Sequence, residues 1–87
     1  MGIKPEDILN DDTDSVLING VTVRKGTIGA FIFNIDILED PTTTEGQKKS
    51  AKREMKQLAP AIIAVGLYKH VSFNNLIAKN ILDDAAR

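Results

Sequence analysis

The pair formed by Asn19 and Gly20 is the feature that most limits how this sequence can fold. It lies between two runs of mostly β-branched residues, residues 16–18 and 21–23. Asn followed by Gly is the strongest short-range signal for a β-hairpin, because both turn residues need a positive φ angle. The sequence therefore predicts a β-hairpin over about residues 16–25.

The length and composition of the chain predict a single small domain that spans residues 1–87. Apolar residues make up 43% of the sequence and charged residues 26%, which is ordinary usage for a globular protein. A chain of this size buries roughly two thirds of its unfolded surface, which is enough for one modest core. The chain contains no cysteine, so a disulfide framework, a thiolate metal site and a cysteine nucleophile are excluded.

Charge is unevenly distributed along the chain, although the net charge is only −1. Residues 1–47 carry nine acidic and three basic side chains, whereas residues 48–87 carry three acidic and eight basic ones. The near-neutral total gives no general case for nucleic-acid binding. The asymmetry can be satisfied by pairing within the fold, or between subunits packed head to tail.

The sequence predicts a cytoplasmic protein that does not enter a membrane. Its acidic N-terminus lacks the basic and apolar regions of a secretory signal. The longest apolar runs, residues 28–33 and 58–67, are shorter than the roughly 20 residues that span a bilayer as a helix. Pro5, followed by two acidic residues, predicts the first turn of a short helix.

Residues 27–40 fit either a helix or a strand. A helix capped by Thr27 places five apolar side chains on one wide face, namely Ile28, Phe31, Ile32, Ile35 and Leu38. A strand is supported by the alternation of apolar and polar residues in the middle of the segment and by its β-branched and aromatic content. The length, the cap and the stop signal of Pro41 favour a helix, although acidic residues are unfavourable at a helix C-terminus.

A second helix is predicted to begin within the threonine run and to carry an internal proline. Two capping boxes fit its start, Thr42 with Glu45 and Thr44 with Gln47. An apolar stripe at helical spacing follows, consisting of Ala51, Met55, Leu58, Ile62 and Val65. Pro60 removes one backbone hydrogen bond inside this run, so we expect a kink or two abutting helices.

A last helix is predicted to begin at Ser72, which serves as its N-cap, and to leave residues 83–87 as a frayed tail. The inner face of this helix would consist of Phe73, Leu76, Ile77 and Ile81. The predicted fold class is therefore α+β, with one β-hairpin packed on three or four short helices.

The first candidate site is an anion-binding corner where the hairpin meets the following helix. Its residues are Arg24, Lys25, Gly26, Thr27 and Gly29. The backbone N–H groups and the dipole at a helix N-terminus attract anions, and glycine permits close approach of a ligand to the backbone. The alternative is a glycine turn followed by a Thr cap, which the lack of a complete nucleotide-binding motif favours.

The second candidate site is a basic helix face. Lys48, Lys52 and Lys56 fall on one row of the helix, and Lys49 and Arg53 fall on the next. Such a face can follow phosphates, but no aromatic residue is interleaved for base stacking, and the pI is about 5.7. We therefore favour a solvated face, or pairing with the acidic half of the chain, over an acidic protein partner or nucleic acid.

His70 is the only histidine and the one residue that we consider as a catalytic base. It lies near Tyr68 and Ser72, but no nearby acidic residue orients it, and no second His or Cys provides a metal-ligand spacing. The Asp-rich residues 11–14 lack the glycine and glutamate of a calcium loop. We expect no metal site, no cofactor and no catalytic residue.

An excess of apolar residues in two segments predicts self-association. Residues 28–38 and 58–68 both carry more apolar side chains than a helix with one buried face needs. A fully central helix is the alternative. The predicted assembly is a homodimer, and the interface candidates are Phe31, Phe33, Ile37, Leu58, Ile62 and Ile63.

Two segments, VRKGTIGAF at residues 23–31 and LAPAIIAVGLYKH at residues 58–70, resemble a family of short bacterial proteins that have about this length and no assigned function. The resemblance covers under a third of the chain and implies a bacterial, cytoplasmic source. It adds slight support to a helix after Lys25, and it implies no catalytic or binding residue.

The function that these patterns favour is that of a small non-catalytic interaction or regulatory module that self-associates. One alternative is binding of nucleic acid or a phosphate ligand through Arg24, Lys25 and the basic face of residues 48–56. An enzyme with His70 as its base is the least favoured alternative.

Overall fold

The computed structural model describes residues 14–87, and the short helix predicted at Pro5 lies outside the described residues. The elements are β1 (Ser15–Ile18), β2 (Val21–Arg24), α1 (Thr27–Glu39), α2 (Glu45–Ala64), α3 (Leu67–His70) and α4 (Leu76–Ala85). The predicted α+β class, one hairpin with four helices, is confirmed.

The predicted turn closes the hairpin. Asn19 and Gly20 have φ angles of 49° and 80°, the positive values that a two-residue turn requires. The antiparallel register pairs Val16 with Val23 and Ile18 with Val21, which places aliphatic side chains on one face. The side-chain Nδ2 of Asn19 also donates a hydrogen bond of 2.8 Å to the carbonyl oxygen of Ala64. This bond fixes the turn on the C-terminal end of α2.

The segment that follows the hairpin is a helix, as predicted, but its start differs from the prediction. Gly26, with a φ of 79°, occupies the N-cap position, and Thr27 is the first helical residue. The hydroxyl of Thr27 donates to the carbonyl oxygen of Arg24 at 2.7 Å, so the predicted Thr27 cap is wrong. The reason is that glycine adopts the left-handed conformation with which the chain leaves β2.

The buried face of α1 is narrower than predicted. Phe31 and Ile35 are buried, whereas Ile28 and Ile32 are exposed. The predicted face included all four because residues 27–35 contain no charge to mark an outer side. Among the described residues, Phe31 and Ile35 belong to the core cluster, whereas Ile28 and Ile32 do not.

The helix α2 begins with one of the two predicted capping boxes and is a single helix. Thr44 Oγ1 accepts a hydrogen bond from the Gln47 N–H at 3.2 Å, and Gln47 Oε1 accepts one from the Thr44 N–H at 2.9 Å. The box of Thr42 does not form, because Thr42 donates to Asp40 through its N–H and its hydroxyl. The prediction of two abutting helices is wrong: α2 continues through Pro60, whose side chain is exposed.

The last helix begins later than predicted. Asn75, rather than Ser72, is the N-cap of α4, and its Oδ1 accepts a hydrogen bond from the Ala78 N–H at 3.0 Å. The later start changes the inner face to Ala78, Ile81 and Leu82. Leu76 and Ile77 are therefore exposed, and the predicted frayed tail is helical through Ala85.

The core forms around α2, which contacts α1, α3, α4 and β2. Its fully buried large side chains are Phe31, Met55, Ile62 and Leu82. The short connection at residues 40–44 makes α1 and α2 an antiparallel helical hairpin. Phe73 completes this core through an edge-to-face contact with Phe31, at a ring distance of 5.5 Å.

Candidate interaction surface

The outward side of α1 is apolar and exposed. Ile28 is 40% exposed, Ile32 45% and Phe33 66%. The surface helices of globular proteins normally carry charged and polar residues opposite their buried stripe, but residues 27–35 contain no charged side chain. We call this surface the α1 outer face, and it consists of the exposed residues Ile28, Gly29, Ala30, Ile32 and Phe33.

An apolar cavity adjoins one edge of the α1 outer face. It has a volume of about 460 Å³ and lies where the hairpin, α1 and α3 meet. Its lining includes Ile18, Ile28, Val65 and Leu67. The exposed apolar surface of α1 therefore continues towards the hairpin.

Charges flank the α1 outer face with opposite signs at its two ends. Arg24 and Lys25 precede the helix, whereas Asp36, Glu39 and Asp40 lie at its C-terminal end. This order opposes the helix dipole, which favours acidic residues at the N-terminus and basic residues at the C-terminus.

The acidic residues at this end differ in their surroundings. Hydrogen bonds from the backbone N–H and the hydroxyl of Thr42 lower the pKa of Asp40. Glu39 accepts a hydrogen bond from Asn75 at 3.1 Å. The exposed carboxylate of Asp36 has no hydrogen-bond or ion-pair partner among residues 14–87. Of the three acidic residues at this end, Asp36 is therefore the one whose side chain has no partner among the described residues.

The predicted interface residues separate into core and surface. Phe31 and Ile62 are fully buried, so both are corrected to core residues: each packs in the centre of the fold and offers no side-chain surface to a second copy. Leu58 and Ile63 are half-buried and pack against the same core. Ile37 is half-buried and lines a cavity together with Ser50 and Glu54 of α2. Phe33 remains as the candidate that lies on the α1 outer face.

The predicted anion-binding corner is only partly open to a ligand. Arg24, Lys25, Gly26 and Gly29 are exposed. Thr27 is buried, and its hydroxyl is engaged with the Arg24 carbonyl, so the Thr27 side chain is corrected to a structural role. The Lys25 N–H donates to the carbonyl oxygen of Asp14 at 2.8 Å, which extends the hairpin.

The predicted basic face is present on α2. Lys49, Arg53 and Lys56 are exposed, and Lys48 and Lys52 are half-buried. Lys48 forms an ion pair of 3.7 Å with Glu45. The other four basic side chains form no ion pair with any of the residues 14–87.

The basic face begins far from the hairpin. The bond from Asn19 to Ala64 holds the hairpin at the C-terminal end of α2. Lys48 precedes Ala64 by 16 residues, which is roughly 24 Å along a helix that rises 1.5 Å per residue. One small anion therefore cannot contact both Lys48 and this end of α2.

A polar cavity lies between α3 and α4. It has a volume of about 440 Å³, and its polar lining residues are Tyr68, Lys69, His70, Ser72, Lys79 and Asp83. The Tyr68 hydroxyl donates to Asp83 Oδ1 at 2.6 Å, and Lys79 Nζ donates to Asp83 Oδ2 at 3.0 Å. We call this arrangement the Asp83 network.

The Asp83 network alters the ionisation of its three members. Hydrogen bonds from Tyr68 and Lys79 lower the pKa of Asp83. The same carboxylate raises the pKa of Tyr68 and that of Lys79, because it accepts their hydrogen bonds. Asp83 is thus held ionised, which makes it a poor proton acceptor.

The placement of His70 gives little support to the enzyme alternative. His70 is exposed, and its side chain has no hydrogen-bond partner among residues 14–87. It lines the same cavity as Asp83, but both oxygens of Asp83 already accept hydrogen bonds from Tyr68 and Lys79. A general base needs a partner that orients it, and the described residues provide His70 with none.

The Asp83 network is the feature that sequence reasoning missed. Lys79 and Asp83 are four residues apart on one helix, a spacing that signals an ion pair. Tyr68 lies 15 residues before Asp83, and a loop separates them, so no local pattern connects the two. The bond from Asn19 to Ala64, 45 residues apart, was unpredictable for the same reason.

Residues 14–87 offer neither a metal-binding cluster nor a membrane-spanning helix. No group of three or more His, Cys, Asp or Glu side chains is arranged to hold a metal ion there. None of the helices in this range combines the length and the apolar character needed to cross a bilayer.

Comparisons with protein-family models, with curated proteins and with solved structures find no match to this chain. The resemblance to short bacterial proteins therefore stays a prediction.

Proposed function

We propose that this protein is a small non-catalytic interaction module that forms a homodimer through the α1 outer face. The observation that carries the proposal is the exposure of Ile28, Ile32 and Phe33 within residues 27–35, a part of α1 that contains no charged side chain. Large contiguous apolar patches on soluble proteins mark interaction sites. Burying a Phe side chain contributes about 1.5–3 kcal/mol, and this free energy favours the association of two copies.

The exposure of apolar side chains on α1 does not result from poor packing of the fold. The opposite side of the same helix is well packed, with Phe31 fully buried against α2 and Phe73. Among the described residues, no buried polar side-chain atom lacks a hydrogen-bond partner. The described residues therefore satisfy the polar side-chain atoms of their interior and leave the α1 outer face exposed.

A second candidate function is the binding of nucleic acid or another phosphate-bearing ligand by the basic face of α2. It is favoured by the exposure of Lys49, Arg53 and Lys56, which have no ion-pair partner among the described residues. Phosphate binding of this kind weakens as salt rises. An acidic protein partner would use the same side chains.

The proposal also includes a cytoplasmic location and a bacterial source. The absence of cysteine fits a reducing compartment. The resemblance of residues 23–31 and 58–70 supports the source.

Amide NMR spectra tested by dilution and by titration distinguish the two functions. On dilution from millimolar to micromolar protein, we expect shifts concentrated at residues 28–37, because these amides leave an interface. Addition of a short oligonucleotide or inorganic phosphate should leave residues 48–56 unchanged if the basic face is only solvated. Shifts at residues 48–56 that disappear at high salt, with none on dilution, would support phosphate binding and contradict self-association.

A further inference from the structure

Gly29 is unexplained by the fold of a single chain. It lies within α1 and is exposed, where glycine is about 0.5–1 kcal/mol less favourable than alanine. Its φ is not in the left-handed range, and a Cβ atom at this position would meet nothing within 4 Å. Neither the backbone nor a neighbour among the described residues requires glycine here. Close approach by another molecule would explain it.

Gly29 and Phe33 form a small and a large position on the same row of α1. They are four residues apart, so they lie one above the other on the helix surface. A twofold interface brings residue i to residue j and residue j to residue i. When two copies of α1 run antiparallel, Phe33 of each copy lies over Gly29 of the other. Each phenyl ring then fills the space that the missing side chain of Gly29 leaves.

The charges at the two ends of α1 select the antiparallel orientation. In this orientation, the basic end of one helix, with Arg24, lies beside Asp36 of the other. The N-terminus of each α1 dipole also lies beside the acidic end of the partner helix. This contact offsets the unfavourable order of charges along α1 within each chain. In a parallel pair, the two Asp36 carboxylates would lie side by side and repel each other.

We infer that two copies of this chain pair through antiparallel α1 helices, with Phe33 packed on Gly29 and Arg24 facing Asp36 across the interface. This inference rests on the proposed function and adds the orientation and register of the pair. A contact between two helices of this length is at the small end of stable interfaces, so we expect a dissociation constant on the order of micromolar.

Charge reversal, measured by sedimentation equilibrium at low salt, tests the orientation. Asp36→Lys and Arg24→Glu should each weaken dimerisation about tenfold, because each creates two repulsive contacts across the interface. The double variant should recover most of the wild-type affinity, and raised salt should reduce all three effects. Lys49→Glu, on the outer side of α2, is the matched control and should leave the affinity unchanged. Far-UV circular dichroism checks that each variant is folded.

A distance measurement supports or overturns the same inference independently of affinity. The chain has no cysteine, so Glu39→Cys places a single spin label near the end of α1. An antiparallel pair centred between Gly29 and Phe33 separates the two labels by roughly 24 Å along the helix axes. A parallel pair places them about one interhelical distance apart, roughly 8–10 Å.

Two results would contradict the proposals, and they are distinguishable. A wild-type protein that is monomeric at all concentrations overturns both self-association and the antiparallel pair. A dimer that Asp36→Lys leaves unchanged, with the spin labels close together, overturns the antiparallel pair alone and leaves self-association standing.

Discussion

The two long helices of this protein pack against each other, yet their outer surfaces are opposite in character. The outer side of α2 carries the exposed cations Lys49, Arg53 and Lys56, whereas the outer side of α1 carries the exposed Ile32 and Phe33. Both helices bury one side in the same core. The difference therefore concerns only what each helix presents to its surroundings.

This difference shows which parts of the sequence the monomer explains. The charged side of α2 is what a solvated helix needs, and its apolar stripe meets α1 and α4. The sequence of α1 satisfies its contact with α2, but it is also apolar on the side where Ile32 and Phe33 are exposed and no other element of the described residues packs. We therefore expect another molecule to cover the outer side of α1 and none to cover the outer side of α2.

The largest expected effect is a difference in the free energy of unfolding between substitutions on the inner and the outer side of α1. Phe31→Ala should lower the free energy of unfolding by about 3–5 kcal/mol, because it leaves a cavity in the core. Phe33→Ala should change the stability of the dilute monomer by no more than about 0.5 kcal/mol. Urea unfolding followed by circular dichroism measures both.

Phe31→Leu is the milder variant in case Phe31→Ala does not fold, and it should still lose more stability than Phe33→Ala. Equal losses at positions 31 and 33 would contradict the assignment of an inner and an outer side to α1.

The second prediction compares a glycine in α1 with a glycine in α2. Gly29→Ala should stabilise the monomer by about 0.5–1 kcal/mol through helix propensity and should weaken dimerisation at least about fivefold, because a methyl group fills the contact for Phe33. Gly46→Ala, in the first turn of α2, meets only Thr44 Oγ1 at 4.0 Å. It is the control that should raise stability without altering association.

Of the two substitutions, only Gly29→Ala should raise the stability of the monomer while it weakens dimerisation. If Gly29→Ala strengthens the dimer or leaves it unchanged, the close approach at Gly29 is wrong.

The smallest expected effect uses Tyr68, which lies away from the α1 outer face and is the only tyrosine in a chain without tryptophan. Its hydrogen bond to Asp83 raises its pKa above the ordinary value of 10.0. At neutral pH this bond is fully present. Its stabilisation is lost as the pH rises from 10.0 through the raised pKa of Tyr68, and also as the pH falls below 3.8 through the lowered pKa of Asp83.

Titration of the tyrosinate absorbance measures this pKa directly. Asp83→Asn should lower the pKa of Tyr68 towards its ordinary value, since it removes the charged acceptor. In the wild-type protein the pKa should be the same at low and at high protein concentration. A pKa that depends on concentration would mean that the α3–α4 cavity takes part in association.

The sequence predicts the features of the fold that local chemistry decides. Asn19 and Gly20 identify the hairpin turn, and Thr44 with Gln47 identifies the start of α2, because each signal lies within four residues. The predicted N-caps Thr27 and Ser72 are wrong because the nearby residues Gly26 and Asn75 occupy the N-cap positions. Gly26 takes its position through its left-handed backbone, and Asn75 does so through the hydrogen bond that its side chain accepts from the Ala78 N–H.

The candidate surface was only partly predictable, for a different reason. Phe31 and Phe33 are equally apolar and two residues apart, and no charged residue in their part of α1 marks the outward side. The sequence could identify an excess of apolar side chains but could not say which of them the core would use. That choice depends on the position of α2, which is a tertiary property.

Sedimentation of two matched variants tests the central claim most directly. Phe33 is 66% exposed on α1 and Leu76 is 67% exposed on α4, so Phe33→Asp and Leu76→Asp place the same charge on equally open surfaces. We predict that the wild-type protein and Leu76→Asp approach twice the monomer mass of 9.5 kDa as concentration rises, whereas Phe33→Asp stays monomeric. A wild-type protein that stays at 9.5 kDa, or a dimer that Phe33→Asp leaves intact, would contradict the claim that the α1 outer face joins two copies.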